Sequence, residues 1–219
     1  MIGLSIDRPA SVALIGAHCD DIAIGAGATL LEITRRHPDI SVHALVLTGG
    51  GTEREVEEKS ALAALCGDVG VQLTVADLPD GRLPDHWGRV KQLLAEFRRG
   101  CAPDVVFAPH RGDRHQDHQL LADLTTTEFR DHLVLGYEIL KWESDLPNPQ
   151  SYQPVPAAAR EKVRVLDECY PSQTAHHWFD EESFLGLMRL RGVQCHSRYA
   201  EAFICEKFTL NLAPSKLAW

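Results

Sequence analysis

Short apolar runs and amphipathic stretches follow one another along this chain in a steady alternation. Val12-Ala13-Leu14-Ile15-Gly16, Ser41 to Leu47, Val71 to Val75 and Val105-Val106-Phe107-Ala108 have the length and composition of strands. Between them lie helical patterns. Ile22 to Arg36 places apolar residues at 22, 26, 30 and 33, and His37-Pro38 stops it. Thr52 to Gly67 has acids in its first turn, strong helix formers throughout and a terminal glycine. Helices are also predicted from about Asp85 to Arg99 and from Gln119 to Phe129. Further on, Leu133 to Leu140 reads as a strand, Ala157 to Cys169 and Asp180 to Arg191 as helices, and Ala202 to Lys207 as a last strand. Trp142 to Pro156 is a proline-studded connection expected over the surface, where it would shape specificity. The alternation predicts one Rossmann-like α/β domain over residues 1–219, with a mostly parallel sheet and helices on both faces.

In such a sheet, ligands bind in the crevice outside the carboxyl ends of the strands. Two strand ends here carry dense sets of ligand-type side chains. The first strand hands over to Ala17-His18-Cys19-Asp20-Asp21, and the strand ending at Ala108 to Pro109-His110-Arg111-Gly112-Asp113-Arg114-His115-Gln116-Asp117-His118. Helix capping accounts for one of the adjacent aspartates but leaves His18 and the second acid unexplained. His115 and His118, three residues apart, would share one face of a first helical turn. Two histidines and one carboxylate are a known catalytic zinc set, so His18, one of Asp20 and Asp21, and one of His115 and His118 could supply it.

Composition narrows the partners. The chain has 219 residues, and a net charge of -9 argues against a phosphate-binding surface, so nucleic acid is not an expected partner. There is no charged leader followed by a long apolar stretch and no run of 18 apolar residues; the expectation is a cytoplasmic protein without membrane contact. Self-association into a homo-oligomer stays open. Six scattered cysteines form no C-x-x-C pair, and most read as small buried hydrophobes. Thr48-Gly49-Gly50-Gly51 is either a turn or a close backbone approach to ligand; the G-x-x-x-x-G-K-S/T motif of a phosphate-cradling P-loop is absent, which argues against one. Arg54 sits at the positive end of a helix dipole, a placement that invites a functional reason, although a solvated arginine would explain it too. His37, His43, His86 and His132 read as ordinary surface or core residues, and His176, His177 and His196 as weak polar candidates near the site.

With these motifs in view, the chain resembles the LmbE-like zinc deacetylases related to the PIG-L enzymes. Ala17 to Asp21 is similar to the A-H-P-D-D signature of that family, and Pro109 to His118 to its P-H-x-x-D-x-H-x-D-H signature. Arg54 with Glu57, Leu78-Pro79-Asp80-Gly81 and Tyr199-Ala200-Glu201-Ala202-Phe203 resemble further family segments; Cys19 departs from the usual proline, and a thiol there could touch a metal. The resemblance implies Zn2+ held by His18, Asp21 and His118, with Asp20 as general base. It further implies that His115 stabilises the oxyanion and Asp117 orients a neighbouring imidazole. Arg54 and Asp80 open the loops after the second and third strands, which places them at the rim as contacts to substrate hydroxyls. The implied substrate is an N-acetylated amino sugar, such as a glycoside or biosynthetic intermediate, cleaved to acetate and a free amine; an N-acyl thiol conjugate is an alternative. A competing reading is a non-catalytic sugar- or nucleotide-binding module that receives its ligand on Gly25-Ala26-Gly27 and the triglycine turn. It is weaker because Gly25-x-Gly27 lacks the third glycine of a dinucleotide fingerprint.

Overall fold

The computed structural model describes residues 3–210. One sheet of seven strands runs through it in the order β3-β2-β1-β4-β5-β7-β6. The strands are β1 (Ser11–Gly16), β2 (Ser41–Thr48), β3 (Gln72–Leu78), β4 (Val105–Pro109), β5 (Leu133–Tyr137), β6 (Ser151–Pro154) and β7 (Ala200–Cys205). The helices are α1 (Asp21–Arg36), α2 (Glu53–Cys66), α3 (Trp87–Gly100), α4 (Gln116–Glu128), α5 (Ala159–Cys169) and α6 (Glu181–Gln194). The first five strands are mutually parallel, while β7 runs antiparallel to both β5 and β6.

The central place of β1 has its origin in its sequence. All six of its residues are buried, and their side chains alternate between two cores. Val12 and Leu14 join residues of α1, α2, α5 and α6 on one face, whereas Ala13 and Ile15 join residues of α3 and α4 on the other. Apart from Ser11 at its start the strand is apolar, as a strand between two apolar layers needs to be. The chain goes outward from β1 through β2 to β3, then returns to place β4 on the other side of β1. The loops leaving β1 and β4 therefore diverge, and the crevice between them is the topological switch point at which open α/β sheets bind ligands.

Several sequence boundaries are corrected. The connection from Trp142 to Pro156 contains β6, which pairs with β7 at the sheet edge; its prolines and the lack of clean alternation hid it. The predicted strand to Leu140 ends at Tyr137. The helix predicted from Asp85 begins as a 3-10 turn, Leu83–His86, before α3 proper. α4 starts at Gln116, not Gln119, so His115 is its N-cap residue and only His118 lies within its first turn.

Gly25 belongs to α1 and serves packing: a Cβ there would lie 2.3 Å from the Tyr137 ring. Tyr137 itself donates its hydroxyl to the Ile15 carbonyl at 2.8 Å, locking β5 to the end of β1. These contacts leave Gly25-Ala26-Gly27 no role as an exposed ligand loop.

The family-like Glu201 on β7 is buried and enters the ladder of α1. Its carboxylate accepts the amides of Ala28 at 3.0 Å and Thr29 at 2.7 Å, and Lys162 of α5 lies 2.6 Å away while donating to the Ile24 carbonyl. Removing one member of such a pair strands the other charge in an apolar layer. Lys162→Met is expected to destabilise the fold by about 3–5 kcal/mol in urea titration. The double variant Lys162→Met/Glu201→Gln should recover part of that loss; a single-variant loss below about 1 kcal/mol would show the pair to be dispensable.

Candidate metal centre

The loop after β1 is shaped by a strained residue. Asp20, the N-cap of α1, has φ 116° and ψ -27°, a region that side chains other than glycine rarely adopt. Its side chain makes no capping bond. Asp21 turns backwards instead: its Oδ2 accepts the amides of Ala17 and His18, each at 2.9 Å. From β2, Thr48 donates its hydroxyl to the Ala17 carbonyl at 2.9 Å and accepts the Cys19 thiol on its own carbonyl. Burial, followed by the nearby Glu58 charge, pushes the Cys19 thiol well above its ordinary range. Its sulfur is not among the side-chain atoms that lie close enough together to share a metal in the described residues. Gly49 has φ 91° and lies so close that a Cβ would meet this sulfur at 2.9 Å, so the triglycine turn packs against the site loop.

Three atoms from the two loops then converge. His18 Nδ1 faces His118 Nε2 at 3.1 Å, His118 Nε2 lies 3.2 Å from Asp21 Oδ2, and His18 Nδ1 lies 3.5 Å from the same oxygen. Ligands held about 2.0–2.1 Å from a tetrahedral metal stand roughly 3.3 Å apart, which matches this triangle. The tautomers agree as well. Asp113 Oδ2 sits 2.7 Å from His118 Nδ1, and Asp117 Oδ2 3.1 Å from His18 Nε2; a carboxylate can only accept, so each outer nitrogen carries the proton. With the inner nitrogens unprotonated, two imidazole lone pairs and a carboxylate oxygen point at one another, an arrangement that a proton or a metal cation between them relieves. The residues fit a divalent metal with nitrogen and oxygen preference.

The electrostatics are consistent. Burial works against ionising Asp21, but His118 and His18 outweigh it and hold the carboxyl well below its usual range. Burial also disfavours a charged His18, yet Asp117 and Asp21 raise its pKa well above the ordinary value. The centre is a place for positive charge. A wider ring adds His115, whose ligand atom lies with those of His18 and His118 within 4.8 Å, and a second grouping joins His18 and His115 to Asp80 and Asp117. Asp21 completes the tighter triangle, so His115 stands one step further out. Its Nδ1 accepts the Asp117 amide at 3.3 Å, leaving Nε2 as the donor, while burial and then the charge on His118 lower its pKa and keep the ring neutral.

Beside the triangle lies Asp20. Burial, then the charge of Asp21, lifts its carboxyl to about 6 despite an ion pair with Arg54 Nη2 at 2.8 Å. The rim position expected for Arg54 needs correction. Its Nη1 donates to Glu57 at 2.6 Å and to Ser172 Oγ at 2.9 Å, and its Nη2 also meets the Cys19 carbonyl, so both terminal nitrogens are committed to protein acceptors. The Asp80 side chain is 77% exposed, with its Oδ1 3.0 Å from His18 Nε2. Three contributors went unassigned in the sequence. Asp113 had a visible signal, as the first acid of the second cluster, whereas Glu58 and Ser172 had none. Glu58 is buried, accepts the Asp20 amide at 2.9 Å and the Tyr170 hydroxyl at 2.7 Å with one oxygen, and leaves the other without a partner among the described residues.

The model of the PIG-L family, GlcNAc-PI de-N-acetylase, matches residues 13–128, more than half of the chain and both ligand-bearing loops. The chain belongs to this family. Among PIG-L relatives, the uncharacterized deacetylase YaiS of Escherichia coli (strain K12) is 29% identical over 156 residues, covering 65% of this chain and 82% of that protein. The conserved protein TT1542 of Thermus thermophilus superposes with a TM-score of 0.71 at 24% identity, over 94% of this chain and 98% of its own. The N,N'-diacetylchitobiose deacetylase of Pyrococcus horikoshii does so at 0.68 and 19%, over 90% and 84%. At these identities the two structures establish a shared fold. No helix among the described residues is long and apolar enough to cross a membrane.

The half-partnered Glu58 gives this PIG-L protein a pH-dependent stability. Desolvation raises its pKa from 4.5 to about 8, so between those values the native state binds a proton that the unfolded chain has released. Stability from this group is complete below about 4.5 and falls as pH rises through about 8. Glu58→Gln should flatten that decline in denaturant titrations from pH 5 to about 8.5. An unchanged slope in the variant would assign the decline to other groups.

Proposed function

We propose that this chain is a zinc-dependent N-deacetylase that cleaves an N-acetylated amino sugar or glycoside to acetate and a free amine. The observation that carries the reading is the triangle of His18 Nδ1, Asp21 Oδ2 and His118 Nε2, with a carboxylate behind each imidazole and the half-ionisable Asp20 beside it. Two nitrogens and one oxygen with a fourth position free are a donor set suited to catalytic zinc. Zinc, when bound, would polarise the amide carbonyl and make water more acidic. The zinc-inhibited form of the teicoplanin deacetylase Orf2, a fold neighbour at 17% identity and TM-score 0.67 over 91% of this chain, lends the metal some support. Fold alone does not choose the reaction: a 4-carboxy-2-hydroxymuconate hydratase of Pseudomonas putida KT2440 shares it at TM-score 0.69 and 17% identity over 93% of this chain. The family match and the site chemistry favour deacetylation.

In this reading Asp20 accepts the proton of the attacking water, for which its lifted pKa suits it. His115, neutral and with Nε2–H free to donate, stabilises the charge that develops on the carbonyl oxygen, and the proton that Asp20 has taken from water passes on to the departing amine. Asp117 and Asp113 orient His18 and His118. Asp80 contacts substrate hydroxyls at the rim, and Arg54 fixes the Asp20 carboxylate.

Metal analysis and acetate release from N-acetylated sugars test the roles together. Asp20→Asn should keep about one zinc per chain and lose roughly 10²–10⁴-fold in kcat, the usual worth of a positioned base. Asp21→Ala and His118→Ala should lose the metal. Zinc-loaded Asp21→Asn without activity, alongside metal-depleted Asp20→Asn, would reverse the assignment; normal acetate release from both would sink the deacetylase reading. For Arg54 the structure predicts a lower kcat with little change in KM in Arg54→Ala, since the arginine orients a reacting group. A raised KM at unchanged kcat would return it to direct substrate contact.

A further inference from the structure

β5 is parallel to β4, so the chain leaving Tyr137 emerges on the same side of the sheet as the metal triangle. From Glu138 to Pro147 it forms a braced arch. Arg191 holds the base of this arch, donating to both oxygens of Glu138 at 2.8 and 2.7 Å and to the Pro147 carbonyl at 3.0 Å. At its crest Asp145 accepts the amide of Arg114 at 2.8 Å, one residue before His115. The Lys141 charge is near enough to help lower both Asp113 and His115. Trp142, next along this arch, is 63% exposed.

A second segment reaches the same tryptophan from the opposite wall. Ser172 accepts Arg54, the partner of Asp20; Gln173 donates to Ser172, and its carbonyl accepts the His176 amide at 3.0 Å. From there His177 Nε2 accepts the Trp142 indole N–H at 3.0 Å, and His176 meets the Trp142 ring edge-on at 6.0 Å while stacking on Trp178. Contacts from the segments beside the metal triangle thus meet at one exposed tryptophan with two exposed imidazoles next to it.

We propose that Trp142, His176 and His177 form a subsite for a second sugar ring, linked glycosidically to the N-acetylated ring at the metal centre. This rests on the deacetylase reading given above. An indole face carries negative charge and suits the C–H face of a pyranose, while the imidazoles at its edge offer donors and acceptors to the hydroxyls around that ring. The acyl group to be removed has no hydroxyls to use such a rim. A wholly apolar occupant would take water from the His176 imidazole and offer it no partner in return.

The test compares zinc-loaded wild type, Trp142→Phe and Trp142→Ala on N-acetylglucosamine and N,N'-diacetylchitobiose. Wild type should favour the disaccharide by roughly tenfold or more in kcat/KM, the size of a good ring contact. Trp142→Ala should erase that preference while leaving monosaccharide turnover unchanged, and Trp142→Phe should keep most of it. No preference in wild type, a preference that survives in Trp142→Ala, or an equal fall on both sugars would overturn the proposal. So would a Trp142→Ala defect that grows with acyl length on N-butanoyl and N-octanoyl glucosamine, which would make the surface an acyl site. Calorimetry of disaccharide binding to Asp20→Asn, with and without Trp142→Ala, gives a readout independent of turnover. Binding that Trp142→Ala leaves unweakened rejects the subsite. Absence of acetate release from every substrate counts against the deacetylase reading alone.

Discussion

A single carboxylate oxygen, Oδ2 of Asp21, ties this molecule's backbone to its chemistry. It gathers two amides from the turn after β1 and simultaneously faces one imidazole from that turn and another from α4. A buried anion in such a place is tolerated only if positive charge or donors surround it. The turn, the strained Asp20 and the approach of the β4 loop can all be understood as the means of surrounding it. Because the turn closes on Asp21, Asp20 is forced outward toward α2, where Arg54 and Glu58 hold its carboxylate and its amide separately. Adjacent aspartates thereby enter different environments, one strongly ionised and one lifted toward neutrality.

The sequence made the architecture readable where its signals are local. Buried runs such as Val12 to Gly16 have no other plausible home than between two helical layers, and the βα alternation then dictates a parallel sheet. The two ligand-rich loops were visible for the same reason: each follows a strand. What stayed hidden depends on long-range geometry. Nothing local in Ser151 to Pro154 announces a strand, because its partner β7 lies some fifty residues further on. Arg54 illustrates the complementary limit: its unusual place at a helix start was readable, but its direction was not, since Asp20 and Ser172 reach it from distant segments. Glu58 resembled any acid in a charged helical stretch until the fold buried it beneath Tyr170.

Carboxylates dominate the inner layer of the crevice and the net charge of the whole chain, yet the central strand they stand on is apolar from Val12 to Gly16. The division is physical. Strands supply rigidity through packing, and the loops at their ends supply polar groups that need not compete with that packing. Asp113 and Asp117 belong to the second cluster, but they serve imidazoles from both clusters, so the second stiffens the first.

His18 and His118 are separated by 100 positions in the chain and by 3.1 Å in space. An unstructured chain does not hold such a pair together, so affinity for the proposed ion would belong to the assembled sheet and hardly at all to the polypeptide as a string. Capture of the proposed ion would then come after closure of β4 against β1 and would draw the folding equilibrium toward the native side by mass action. Scarcity of metal in the surroundings would show up first as shorter-lived protein, through a larger unfolded fraction open to proteolysis.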